Sequence, residues 1–368
     1  MSGDNNKNKG KRYNQKLKPY VVLQYLLKYT DEDHVADAQT IVDYLTDLKI
    51  PAERRSVYRD IEDINKVLYM LENDCDIEEA EEAIEDKDCR AVVYDGSKKG
   101  FYVRERHFDL TDLRLLAESV YSSKFITKSK EEHLIEGLCE FVSEGQAETI
   151  RHESFVVDRV KTLNTVVFNN ITTINEAISP ALGGKPHTPE KIAFKYRKYN
   201  INHLEQLEDR RHGEDYIASP YQLLINEGNY YLFAYDEKKK RIWPYRVDRM
   251  RDVRRLGEPR EGKEVFAELD IKRYTRRVFS MFSGERETVA IRFINRHLDT
   301  VVDRFGIDGV YYRKVDDSHF VVRTEIEVSD QFFAWICGFK KGAKIIDPPR
   351  VVDQMKDFVS DIVGRYKE

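Results

Sequence analysis

The residues whose types and spacing can do chemistry begin at Arg54-Arg55-Ser56-Val57-Tyr58-Arg59. Val57, Ile61, Ile64, Leu68 and Leu71 recur at intervals of 4, 3, 4 and 3, the stripe of a helix buried along one side. At about 100° per residue, Ile61 and Ile64 fall within about 40° of Val57, while Arg55 and Arg59 land near 160° and 200°. Guanidinium groups on that outer face can pair bidentately with guanine or hold phosphates. Ser56 and Tyr58, on its flanks, can serve either backbone or base. Arg54, Arg55, Ser56, Tyr58 and Arg59 are the candidate DNA-contacting set. A charged helix face alone is ordinarily just solvated, so the reading depends on what surrounds it.

Other chemistries lack their residues. The nine histidines are dispersed, and Cys75, Cys89, Cys139 and Cys337 form no C-x-x-C pair. Metal-ligand spacing and a disulfide framework are therefore not expected, and the cysteine usage fits a reducing cytoplasm. No G-x-S-x-G, P-loop or G-x-G-x-x-G occurs. Gly183-Gly184-Lys185 lacks the remaining Walker spacing and reads as a hinge. The expectation is a binding protein, not an enzyme, with no cofactor and no metal.

The elements that must position the arginine face follow from local pattern. Tyr20, Leu23 and Leu27, with Leu26 alongside, mark a first helix. Ile41, Val42, Leu45 and Leu48 mark a second, stopped by Pro51. Beyond the third helix, Ala91–Tyr94 and Phe101–Val103 flank Asp95–Gly100, which reads as a hairpin. Two short helices joined by a tight turn and followed by a hairpin have the order of a winged helix-turn-helix, whose last helix enters the major groove.

Residues 109–178 return to a helical pattern, with Leu110, Leu113, Leu116 and Val120 on one helix. Ser129-x-x-Glu132 reads as a capping box for the next, which carries Leu134, Leu138 and Phe141. Ser179–Pro189, with three prolines and two adjacent glycines, reads as the domain boundary. Residues 190–254 hold short strands at close spacing and a turn at Asn226-Glu227-Gly228, as in a small antiparallel barrel. From 257 onward the order is β-α-β-β-α-β with a terminal helix, a ferredoxin-like pattern. The expected division is a disordered basic arm (1–17), a winged helix-turn-helix (18–106) with an acidic insertion (72–88), a helical dimerisation region (107–185), a strand domain (186–256) and an α/β extension (257–368).

Charge refines this picture. The 368 residues carry 61 Lys+Arg against 66 Asp+Glu, a net of −5, which excludes a uniformly basic coat. Residues 1–20 nonetheless hold six Lys/Arg and one acid, whereas 72–88 hold ten acids and one lysine. The acidic run is expected to be a partly helical, solvated excursion. The sharper alternative is that it folds over the arginine face and weakens non-specific binding. No apolar run approaches the roughly 20 residues of a membrane span. The N-terminus is polar and basic rather than a signal peptide, so a cytoplasmic protein is expected.

A resemblance sharpens the middle of the chain. Ser219-Pro220-Tyr221-Gln222-Leu223-Leu224, then Asn229-Tyr230-Tyr231-Leu232-Phe233-Ala234-Tyr235-Asp236, then Tyr245-Arg246-Val247-Asp248-Arg249-Met250 together resemble the WYL domain, with Tyr230-Tyr231-Leu232 standing for its Trp-Tyr-Leu. The resemblance extends to an N-terminal winged helix containing Ser56–Ile61 and to a C-terminal extension like residues 258–368. It implies a homodimeric transcriptional regulator of bacteria or phages. The winged helix would bind a double-stranded operator. An Sm/SH3-like, five-stranded barrel would sense a single-stranded DNA, RNA or nucleotide effector. Tyr196, Tyr231 and Tyr245 would offer stacking surfaces, while Arg197, Arg246 and Arg249 would neutralise phosphates. Lys272, Arg273, Arg276 and Arg277 would close over the site. The alternative function is a single-stranded RNA- or DNA-binding accessory protein of a phage-defence or CRISPR system. Departures from the family pattern are Tyr230 for Trp, Trp243 at a position often polar or basic, and Glu214-Asp215 ahead of Ser219.

Overall fold

A computed structural model describes residues 15–104, 106–153, 161–279, 281 and 284–367. The chain divides into two compact units, Met1–Thr162 and Leu163–Glu368. It is a mixed α+β, multidomain architecture of helices and antiparallel sheets. Most of the predicted basic arm, residues 1–14, lies outside the described residues.

In the first unit, helices α1 (Lys18–Tyr29), α2 (Ala38–Asp47) and α3 (Arg54–Asn73) pack with strands β1 (Val92–Asp95) and β2 (Gly100–Val103). Each helix start has a local cause. Proline opens α1, and the Asp37 carboxylate accepts from the Thr40 N–H to cap α2. Glu53 and Ser56 form a reciprocal capping box at α3. Val22, Leu26, Ile41, Leu45, Val57, Ile61, Ile64, Phe101 and Val103 make the core. The α3 stripe is correct at Val57, Ile61 and Ile64 but not at its end, where Leu71 is 77% exposed. In α1 the buried pair is Val22 and Leu26, with Tyr20 turned outward, because the helix packs on α3 about one residue round from the expected face. The hairpin pairs Val92 with Val103 and Asp95 with Gly100. The Asn65 side chain clamps it to α3, donating to the Val92 carbonyl (2.9 Å) and accepting from its N–H (2.8 Å).

The acidic segment forms α4 (Ile77–Ala83), which lies along the later half of α3. Ala80 and Ile84 are buried, and Glu81 pairs with Lys66 at 2.6 Å. Helices α5 (Leu110–Ser122), α6 (Lys128–Cys139) and α7 (Glu144–Glu153) surround Leu113, Ala117, Ile135, Cys139, Val142 and Ile150. The cap of α6 is Thr127, not Ser129, because the Thr127 hydroxyl accepts from the Lys130 N–H. Its buried face runs through Ile135 and Cys139, and Phe141 remains exposed.

In the second unit, α8 (Val167–Ile178) precedes a minimal hairpin, β3 (Ala181–Leu182) and β4 (Lys185–Pro186), turning on Gly183 and Gly184 at positive φ. Helix α8 packs on the sheet that follows. That sheet comprises β5 (Glu190–Asn200), β6 (His203–Asp209), β7 (Tyr216–Asn226), β8 (Asn229–Asp236), β9 (Arg241–Arg246) and β10 (Met250–Pro259). Its order is β10-β5-β7-β8-β9, with β6 on the far end of β5. The sheet has six strands, not five, because β5 runs on past its pairings with β7 and β10 and its last residues pair with β6. No closed barrel forms among the described residues. A helical turn at Val247–Arg249 carries the chain from β9 away to pair with β5.

After α9 (Lys263–Ala267) and α10 (Ile271–Arg277), a second sheet holds β11 (Glu285–Ile294), β12 (Tyr311–Lys314), β13 (His319–Val328) and β14 (Ala343–Asp347) in the antiparallel order β12-β13-β11-β14. Helices α11 (Leu298–Phe305), α12 (Asp330–Gly338) and α13 (Pro349–Arg365) accompany it, and Val289, Ile291, Phe293, Phe305, Phe332 and Ile336 fill its core. Among the described residues no helix is long and apolar enough to cross a membrane.

Candidate nucleic-acid interface

On α3, Arg54, Arg55 and Arg59 are all exposed. Among the described residues none of the three hydrogen-bonds to a side chain or pairs with a carboxylate. Tyr58 is half exposed and packs edge-on against Phe101 of β2 at 5.2 Å, and Tyr94 of β1 meets the same ring at 5.0 Å. An aromatic cluster therefore fixes the arginine end of α3 against the hairpin. Ser56 is already committed: its hydroxyl donates to the Glu53 carbonyl at 2.8 Å and accepts from the Glu53 N–H at 3.2 Å. Lys66, where α4 is tethered, lies about 10 Å further along the helix axis from Arg59 at 1.5 Å per residue. The acidic helix leaves the arginine face uncovered. The sharper alternative, in which it folds over that face, does not describe this arrangement.

A second constellation lies in the same unit. Asp31 is buried and accepts the Ser143 hydroxyl, the N–H groups of Asp33 and His34 (2.8 Å each), and a His34 ring nitrogen at 2.9 Å. Serine, histidine and aspartate are all present, yet the hydroxyl is spent on the carboxylate rather than on the imidazole. This joins the loop after α1 to the start of α7. Gly145 permits it, since a Cβ there would come within 2.6 Å of the His34 ring.

The second unit carries an aromatic and arginine-rich face. Phe194, Tyr196, Tyr216 and Tyr245 cluster with ring centroids 5.2–6.3 Å apart. Tyr245 is only 3% exposed, and its hydroxyl donates to buried Asp236 at 2.6 Å. Burial, then the Asp236 charge, raises its pKa. Tyr231 is 7% exposed and packs with Phe233, Tyr274 and Val278. Neither offers an open ring for stacking: Tyr231 lies on β8, which is covered on both faces, and Tyr245 on β9 is buried in the ring cluster. Tyr196 is half-buried, and its hydroxyl accepts the Arg246 N–H at 3.1 Å.

The arginines separate. Arg246 is forked onto Asp248 (3.0 and 2.8 Å), whose side chain is 4% exposed. Burial disfavours the Arg246 charge, but Asp248, Tyr231 and Tyr196 outweigh it, so its pKa is raised. Arg249 lies over Tyr199 at 4.3 Å. Arg197 alternates to the other face of β5 from Tyr196, in a cleft against α8. Of the four basic residues expected to close over the site, the side chains of Lys272 and Arg273 lie outside the described ones. Arg277 is turned to Glu325 at 3.0 Å.

Two arginines that sequence reasoning missed complete the face. Arg210 lies 5.6 Å from the Tyr196 ring, and Arg211 lies 4.0 Å from that of Tyr216. The available signal was Asp209-Arg210-Arg211-His212-Gly213, a tight turn with positive φ at its last three positions. Trp243 is likewise flanked by Lys239 at 3.4 Å and Arg241 at 4.6 Å, so the aromatic swap brings cations with it. Asp215 is held by Arg254. Among the described residues, no group of three or more His, Cys, Asp or Glu is arranged to hold a metal ion.

Comparison with known proteins fits this geometry. Residues 189–255 match the WYL domain model and 285–363 the WCX domain model. Similar solved structures include proteasome accessory factor B/C (PafBC) of Arthrobacter aurescens, at 13% identity over 95% of this chain and TM-score 0.27. The chain spans 48% of the length of that protein. A CRISPR Cas-related protein is similar at 10% identity, over 93% of this chain and 97% of its own, with TM-score 0.35. Overlaps this low speak to no shared function. No curated protein matches the sequence. From the strand pattern, the 245–250 turn and the two model matches together, the chain carries a WYL domain followed by a WCX domain.

Proposed function

We propose that the protein is a DNA-binding transcriptional regulator, acting by binding rather than catalysis, whose first unit reads a duplex operator through α3. The observation that carries this reading is the set of unpaired, exposed Arg54, Arg55 and Arg59, braced against the hairpin through Tyr58, Phe101 and Tyr94. A basic helix end beside a two-stranded hairpin supports a winged helix-turn-helix reading, with the hairpin as its wing. The two strand domains are read as a sensing unit of Sm/SH3-like and ferredoxin-like type. Its effector is single-stranded nucleic acid or a nucleotide, received by Arg210, Arg211 and Arg249 beside Tyr196, Tyr199 and Tyr216. The regulator works as a dimer, with exposed Leu115 and Leu116 on α5 as candidates for the contact.

The test is a duplex footprint selected from random sequence. It should be two-fold symmetric and lost, by about 2–6 kcal/mol for two base-contacting arginines, in Arg55→Ala/Arg59→Ala. A footprint that survives this change rejects the reading. Single-strand binding lost in Arg210→Ala/Arg211→Ala, with no duplex footprint, supports instead a single-strand-binding accessory protein. Arg246 is a poorer probe of the ligand face, since removing it strands the buried Asp248 carboxylate.

A further inference from the structure

Arg197 is anomalous. It is half-buried, its Nε is shielded from solvent without a hydrogen-bond partner, and among the described residues its guanidinium makes no hydrogen bond or ion pair. Burial, then the Arg251 charge, lowers its pKa. Two carboxylates are near, but both serve Arg251: Asp209 accepts from its Nη2 at 2.7 Å, and Asp252 pairs with its Nε at 3.2 Å. Buried cations are ordinarily paired, so this one is short of an anion.

The surroundings are those of a preformed site. Arg197 opens into a cleft of about 420 Å³ between α8 and β10, within the size range of small-ligand pockets. Two buried asparagines hold its walls together: Asn164 Nδ2 donates to the Asp248 and Met250 carbonyls (3.0 and 2.8 Å), and Asn170 Nδ2 to that of Met250 (3.0 Å). Thr165, Asn169 and Thr173, four residues apart, present a row of hydroxyl and amide groups to the cleft, uncommitted to protein partners. Asp252, 55% exposed at the rim, can accept from a ligand hydroxyl.

We propose that this cleft binds a phosphoryl group on a nucleotide-sized ligand, with Arg197 forked onto it. A guanidinium fork suits carboxylate and phosphate alike. The row of further donors favours the oxyanion with more acceptor oxygens, and the rim carboxylate suits a ligand with sugar hydroxyls. The cleft lies on the face of β5 opposite Tyr196. It is separate from the Arg210 and Arg211 face, and the inference rests on neither the duplex nor the single-strand reading.

Titration calorimetry on the full chain with AMP, adenosine, and a dinucleotide with and without a 5′-phosphate tests it. AMP or the 5′-phosphorylated dinucleotide should bind and the unphosphorylated partner should not; the tighter of the two identifies a mononucleotide or a strand end as the source. Arg197→Gln should weaken binding about tenfold or more, matching the loss of one charge-assisted fork. Asn169→Ala, an exposed change that spares the core, should weaken it severalfold. Equal affinity for AMP and adenosine, undiminished binding by both the Arg197 and Asn169 variants, or no binding of any probe at millimolar concentration overturns the proposal.

Discussion

Side chains of one type take different roles here according to what covers them. Tyr199, Tyr231 and Tyr245 are the same residue chemically, but Tyr199 is 41% exposed beneath Arg249 while Tyr245 is buried with its hydroxyl on Asp236. Tyr245→Phe removes a donor from a buried carboxylate and should cost about 1–3 kcal/mol of stability. Chemical denaturation should register this, with ligand binding to the folded protein intact. A loss of binding at unchanged stability would return Tyr245 to the ligand face. Aromatic and arginine positions were legible from residue type and spacing alone. Their availability was not, because burial depends on partners distant in sequence.

At the scale of elements, the loop after α1 and the start of α7 are joined through Asp31. Burial pushes its carboxyl up, but hydrogen bonds from Ser143, His34 and Asp33 outweigh that, leaving it below the ordinary carboxylate range. A carboxylate depressed in the folded state contributes stability above its unfolded pKa of about 3.9, and that contribution is lost as pH falls through the folded value. Asp31→Asn should therefore destabilise the protein at neutral pH and flatten the fall in stability below about pH 4. Parallel denaturation curves for variant and parent at pH 3 and pH 7 would show that the junction contributes nothing. The elements themselves were largely readable. Both hairpin strands, α3 and the Asn226–Gly228 turn stand where periodicity and turn chemistry put them. Helix faces in α1 and α6 were displaced by a residue, since two adjacent apolar positions leave the stripe ambiguous until a partner helix selects one.

Across the whole molecule, the near-neutral charge total conceals a partition. The acidic helix α4 is tethered to α3 beyond the arginine end, where it acts as a field and not as a cover. Replacing exposed Glu78, Glu79 and Glu82 by glutamine should raise non-specific duplex affinity severalfold at low ionic strength. The gain should fade as the Debye length shrinks from about 30 Å at 0.01 M to about 8 Å at 0.15 M. Filter binding across a salt series checks this; a gain that persists at high salt would mean direct contact instead.

The sequence by itself determined the local matters: the α3 stripe, the two hairpin strands, the Asn226–Gly228 turn and the basic face of α3. Each of these depends on neighbours within a few residues. Only the tertiary structure decided that β9 and β10 part without closing a barrel, that Arg246 is bound to Asp248, and that Arg197 faces α8 while Tyr196 faces its ring cluster. Strand alternation separates neighbours onto opposite faces, but which face meets which partner is set by pairings dozens of residues apart. Those pairings are what divided one expected group of arginines between opposite faces of the sheet.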